Sequence, residues 1–195
     1  MNLSFSTNRW DNISLESFID IAKEYKFRGI EIHNINEVTT EQASEINHKL
    51  LENKVKISCI DMVSDVAGDV EESFKEFLSC VEFCISLHTP YVRIKAASDN
   101  EENVVKFIKK ALPVAEKNNI VILVETVGMY ANTTKLIELL NSFASDNLGA
   151  LWDLHYPYRE HKESPETTVK NLGAYIRHVH MKDSDGENSY NLVGE

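Results

Sequence analysis

The chain has 195 residues, which is enough for one sizeable hydrophobic core. Its 43% hydrophobic and 26% charged residues are those of an ordinary globular domain. A net charge of −11, with Lys109-Lys110 as the longest basic run, argues against nucleic acid as a partner, and no stretch has the apolar length of a membrane span.

The first elements can be taken in order. Leu3-Ser4-Phe5-Ser6 reads as a short strand. Ser14 is an N-cap for a helix with Leu15, Phe18, Ile19 and Ala22 at helical spacing. Ile30-Glu31-Ile32-His33 is a second strand, and Thr39 with Gln42 forms a capping box for a helix through Leu51. Val55 to Asp61 is a third strand. A helix from about Val70 to Leu87 follows, with Phe74, Phe77, Leu78, Val81 and Ile85 expected on its buried side. Cys80 and Cys84, one turn apart, read as part of a core stripe. Pro90 to Lys95 is a fourth strand, and Glu101 to Lys117 a helix that Pro113 should kink or end. Ile120 to Glu125, Leu148 to Asp153 and Ile176 to Lys182 complete seven strands. Helices Thr134 to Phe143 and one opened by Ser164-Pro165 lie between them. Asp183 to Glu195 reads as a loop leading towards a further helix.

Strand–helix alternation means parallel strands with helical crossovers. The repeat of roughly 26 to 36 residues is that of a βα unit and favours an α/β fold of the (β/α)8 TIM-barrel type. A seven-stranded doubly wound sheet is the alternative. Residues 1–195 are expected to form a single domain, a barrel shortened to about seven strands that lacks the eighth strand unit. The opening Met1-Asn2-Leu3-Ser4 lacks the basic and apolar regions of a signal peptide. With an odd count of three cysteines, a cytoplasmic location is expected.

Active sites of such barrels sit at the carboxyl ends of the strands. That places Glu31, His33, Asp61, Arg93, Lys95, Glu125, Asp153, His155, His180 and Lys182 near one mouth. Alternation along a strand would turn Asp153 and His155 to one face, and likewise His178, His180 and Lys182. Carboxylate, carboxylate and imidazole ending successive strands suit a divalent metal on Glu125, Asp153 and His180. Oxygen ligands with one imidazole suit Mn2+, Mg2+ or Co2+, with Zn2+ also admitted. His33, Arg93, Lys95, His155, Arg159 and Lys182 are candidate substrate contacts, the cationic ones for hydroxyls or a phosphate.

Gly29-Ile30-Glu31-Ile32-His33, Val124-Glu125-Thr126, Leu151-Trp152-Asp153, Asn171-Leu172-Gly173-Ala174-Tyr175-Ile176 and His178-Val179-His180-Met181-Lys182-Asp183 resemble the xylose isomerase-like TIM barrels, the sugar phosphate isomerase/epimerase group. The resemblance implies that Glu125, Asp153 and His180 are three of four ligands to one divalent ion. The fourth, a Glu ending an eighth strand, has no counterpart, because Glu195 falls in a preceding Gly-Glu-Gly-like loop. Tyr156 and Val127 stand where many relatives have His. The resemblance further implies a sugar or polyol substrate, enediolate chemistry, and Glu125 as one of two acid–base carboxylates.

Three functions follow. The first is a metal-dependent sugar, sugar phosphate or cyclitol isomerase, epimerase or dehydratase. The second is an endonuclease IV-like phosphodiesterase, which the acidic balance opposes. The third is a non-catalytic truncated member of the fold. Unpaired first and seventh strands would also leave room for a homo-oligomer.

Overall fold

Seven strands run parallel and pair in chain order, each joined to the next through helical chain. The computed structural model describes residues 2–8, 10, 13–33, 35, 43–184 and 190–194. The strands are β1 (Ser4–Ser6), β2 (Gly29–Ile32), β3 (Lys56–Asp65), β4 (Tyr91–Lys95), β5 (Val121–Glu125), β6 (Leu148–Asp153) and β7 (Ile176–His180). The helices are α1 (Leu15–Glu24), α2 (Ala43–Asn53), α3 (Val70–Ser86), α4 (Glu101–Lys117), α5 (Thr133–Phe143), α6 (His155–His161) and α7 (Pro165–Leu172). Among the described residues, β1 and β7 each pair on one side only, so the sheet curls as an open barrel.

Side chains alternate across the sheet and build two cores. Ile30, Ile57, Ile94 and Ile122 point outwards and meet Phe77, Phe107, Ile108 and Leu136 of the helices. Cys59, Leu123 and Leu151 point inwards, packed over Tyr91 and Val121. This small apolar plug closes the barrel interior from below. The inward positions above it, at the carboxyl ends of the strands, are charged.

The helices begin where side-chain oxygens take up otherwise unbonded amides. Ser14 accepts from Ser17, Asp69 from Glu71 and Glu72, Asn100 from Asn103, Asn132 from Thr134 and Lys135, and Ser164 from Thr167. Six of the seven are followed by left-handed residues that are not glycine, Lys26, Lys54, His88, Asn119, Ala144 and Lys162, whereas α7 runs into Gly173 with φ −50.

Several expectations are corrected. On α3 the buried side is Ser73, Phe77, Cys80, Val81 and Cys84, whereas Leu78 and Ile85 are 38% and 52% exposed. Ser73, Cys80 and Cys84 leave room on that face for Phe77, and Leu78 and Ile85 turn away from it. α4 continues past Pro113 to Lys117, so the proline does not end it. β3 runs on to Asp65, leaving Asp61 inside the strand. β7 stops at His180, two residues short of Lys182. Asp183–Ser184 and Tyr190–Asn191 form a short antiparallel pair, β8 and β9, in the stretch read as a loop. The Thr39/Gln42 capping box and Glu195 lie outside the described residues.

Candidate functional site

Five strands deliver one buried polar layer. Glu31 on β2, Asp61 on β3, Arg93 on β4, Glu125 on β5 and Asp153 on β6 are all buried, and His178 and His180 on β7 close the ring. Arg93 donates from Nε and Nη2 to Glu125 Oε2 at 3.1 and 2.6 Å, and its Nη1 lies 3.0 Å from Asp61 Oδ2. His180 bridges two carboxylates. Its Nδ1 is 3.2 Å from Glu125 Oε1, and its Nε2 is 3.0 Å from Glu31 Oε2. His178 Nε2 reaches the same Glu31 oxygen at 3.0 Å. Lys182 pairs with Asp153 Oδ2.

A threonine that sequence reasoning passed over sets the height of two of these groups. The Thr126 hydroxyl donates to the Asp153 carbonyl at 3.2 Å and accepts the Asp153 amide at 2.9 Å. This latch ties the end of β5 to the end of β6, so Glu125 and Asp153 face each other at one level. Gly128, two residues further, has φ +58 and lies so close to the end of β4 that a Cβ would sit 2.4 Å from the Ala96 carbonyl. Only glycine fits there.

The ring is electrostatically strained and partly relieved from within. Burial works to raise the Glu125 carboxyl, but the His180 hydrogen bond and the Arg93 charge outweigh it and hold the group down to about 2. Burial works to lower His180, but its hydrogen bonds to Glu125 and Glu31 raise it to about 10. Asp61 stays raised, through burial against the single His33 hydrogen bond and with Glu31 adding repulsion. Lys182 is raised because Asp153 outweighs its burial.

The residues fit a divalent ion. One ligand atom each from Glu125, Asp153 and His180 can be chosen so that all lie within 4.8 Å of one another. Four buried carboxylates, Glu31, Asp61, Glu125 and Asp153, face two permanent cations, Arg93 and Lys182. With neutral imidazoles that leaves two negative charges in excess, the charge a divalent ion carries. Buried Asp61 Oδ1 also lacks a hydrogen-bond partner among the described residues.

The remaining candidates divide. His33 lies at the mouth, a quarter exposed, with Nδ1 3.1 Å from Asp61 Oδ2. Lys95 is half-buried at the end of β4. Arg93 is engaged by two protein carboxylates at the floor of the ring. His155 does not share a strand face with Asp153. It is the first residue of α6, its amide donates to Asp153 Oδ1 at 2.9 Å, and its Nε2 meets Ser184 Oγ at 2.8 Å. The chain turns into a helix there, which strand alternation could not anticipate. His155, Arg159 and Lys182 line a cleft of about 300 Å³ beside Asp153, together with Tyr158, Lys162 and Ser184. Glu31 and His178 were the ring members undervalued from sequence. Alternation already set His178 with His180, but which residues meet across the barrel depends on curvature.

The sequence profile of the xylose isomerase-like TIM barrel family matches residues 19–192. A comparison with curated proteins gives no match. Among solved structures, the probable 3-DHS dehydratase AsbF of Bacillus anthracis is 20% identical, with a TM-score of 0.78 over 94% of this chain and 73% of that one. D-psicose 3-epimerase of Clostridium cellulolyticum H10, solved with D-tagatose, is 12% identical, with a TM-score of 0.80 and the same coverages. The IOLI protein with a bound zinc atom is 16% identical, with a TM-score of 0.79 over 94% and 73%. At these identities the likeness is one of fold.

Proposed function

The chain belongs to the xylose isomerase-like TIM barrel family, and from that premise we propose that it is built for metal-dependent isomerisation, epimerisation or dehydration of a small sugar, sugar phosphate or polyol. The observation that carries this reading is the convergence of Glu125, Asp153 and His180 within 4.8 Å, beside a cleft lined by Lys182 and Arg159. The dehydratase and the epimerase among its structural neighbours support the substrate class, and the zinc of the IOLI protein supports a metal.

Glu125, Asp153 and His180 would hold the ion. The ion would polarise a carbonyl and its neighbouring hydroxyl and so acidify the carbon-bound proton between them. Glu125 removes that proton, and the electron pair passes to the carbonyl oxygen. The Arg93 charge beside Glu125 favours its ionised form, which makes it a ready but weak base. The chemistry therefore depends on raising the acidity of the carbon, not on raising the basicity of the carboxylate. Lys182, held over the Tyr156 ring at 4.7 Å, and His155 turn their polar ends towards the cleft, where they would orient hydroxyls or a phosphate. His33, Lys95 and Arg159 are proposed as further substrate contacts.

The three cysteines are free and buried, which supports a reducing compartment such as the cytoplasm. Among the described residues no helix is long and apolar enough to cross a membrane.

The test is solvent deuterium incorporation into a panel of ketoses, ketose phosphates and keto-cyclitols, with Mn2+, Mg2+, Co2+ or Zn2+ added. Metal-dependent exchange next to a carbonyl, abolished by Glu125→Gln, is expected. Exchange that survives Glu125→Gln would remove Glu125 from the reaction.

A further inference from the structure

We propose that Glu31 is a positioning residue, whose carboxylate fixes the His180 ring so that Nδ1, and not Nε2, faces the ion. The proposal rests on the reading of Glu125, Asp153 and His180 as the metal ligands.

Both Glu31 oxygens lie against His180 Nε2, Oε1 at 2.9 Å and Oε2 at 3.0 Å. The opposite ring nitrogen, Nδ1, points at Glu125. A ring whose Nε2–H is held by a carboxylate presents its lone pair on Nδ1, so the tautomer and the aim of the ring are set together. Glu31 is itself held. His178 Nε2 lies 3.0 Å from Oε2, and its ring stands edge-on to that of His180 at 5.4 Å and 84°. A second donor on the same oxygen stops the carboxylate from turning away.

The backbone shows how Glu31 comes to be there. Register between β2 and β3 shifts between Ile30 and Glu31, so that Ile30 pairs with Ile57 and Glu31 with Cys59. Gly29, two residues earlier, leaves room between β1 and β3, where a Cβ would fall 2.2 Å from Ser4 Oγ and 3.2 Å from Ser58 Cβ. The strand thus delivers Glu31 into the barrel interior at 2% exposure, and Glu31 does not line the cleft. A carboxylate so placed acts on His180 and not on substrate.

The experiment uses zinc, which is diamagnetic, with the full chain labelled with 15N at histidine. Zinc affinity is measured by competition titration, and the zinc-bound His180 nitrogen is read from long-range 1H–15N correlations. Variants are Glu31→Met, which fills the space without an acceptor, Glu31→Gln, which keeps one, and His180→Ala. The wild type should bind one zinc through His180 Nδ1. Glu31→Met should weaken binding by about 10–100-fold and lose the single Nδ1-bonded form, and Glu31→Gln should recover most of both. Zinc on Nε2 in the wild type overturns the proposal without recourse to any variant. So does a Glu31→Met variant that binds as tightly and through the same nitrogen, or two zinc ions per chain with one on Glu31 and His178. If His180→Ala binds zinc as the wild type does, the ligand assignment itself fails and this inference with it.

Discussion

With Glu125, Asp153 and His180 as the proposed ligands, a proton and an ion compete for His180, and that competition sets a pH dependence. Its folded value of about 10 lies above the usual 6.5 because Glu125 and Glu31 outweigh its burial. A raised group of this kind stabilises the fold fully below pH 6.5, and the contribution is lost as pH rises through 10. Glu125 runs the other way. Lowered from 4.5 to about 2, it contributes above pH 4.5 and loses that contribution as pH falls through 2. On account of these two groups, thermal stability without added metal should peak between pH 4.5 and 6.5. Binding of a divalent ion to Nδ1 must release the His180 proton, so the stabilisation that Mn2+ confers should grow as pH rises from about 6 to 8. Melting curves with and without Mn2+ across that range check both slopes. A Mn2+ effect that is flat with pH would remove the imidazole from the ligand set.

At the scale of the element, strands and helices were legible because local chemistry writes them directly. Ser14 and Ser164 cap where they should, and β6 spans Leu148–Asp153 as expected. The meeting of Glu125, Asp153 and His180 was legible too, since each ends its own strand. What escaped was set by distance in space. Nothing local shows that Glu31 on β2 meets His180 on β7, or that Arg93 is consumed by Asp61 and Glu125. His155 was misplaced because Asp153 caps its amide and turns the chain into α6. The left-handed helix ends were equally hidden, because none is a glycine. They allow a direct prediction. Ala144 has φ 48 just after α5, a conformation that strains a Cβ by roughly 1 kcal/mol. Ala144→Gly should therefore raise the melting temperature by about 2–4 °C. An unchanged or lower value in a calorimetric scan would show that the unfolded-state entropy of glycine cancels the gain.

At the scale of the whole, the described residues form an acidic barrel open between β1 and β7. Its edge strands β1 and β7 each have one unpaired side among the described residues, and Leu3, Val179 and Met181, on or beside those strands, are 54%, 43% and 56% exposed. Self-association would begin there. A net charge of −11 disfavours approach of a long phosphate backbone. DNA containing abasic sites should therefore not be incised at physiological salt. Incision that Glu125→Gln abolishes would reverse that ranking. The central claim, however, is the ion itself, and metal analysis of the purified protein tests it most directly. The protein should carry about one divalent ion per chain after incubation with metal and desalting, and both His180→Ala and Asp153→Ala should lose it. Equal metal content in the wild type and these two variants would contradict the account.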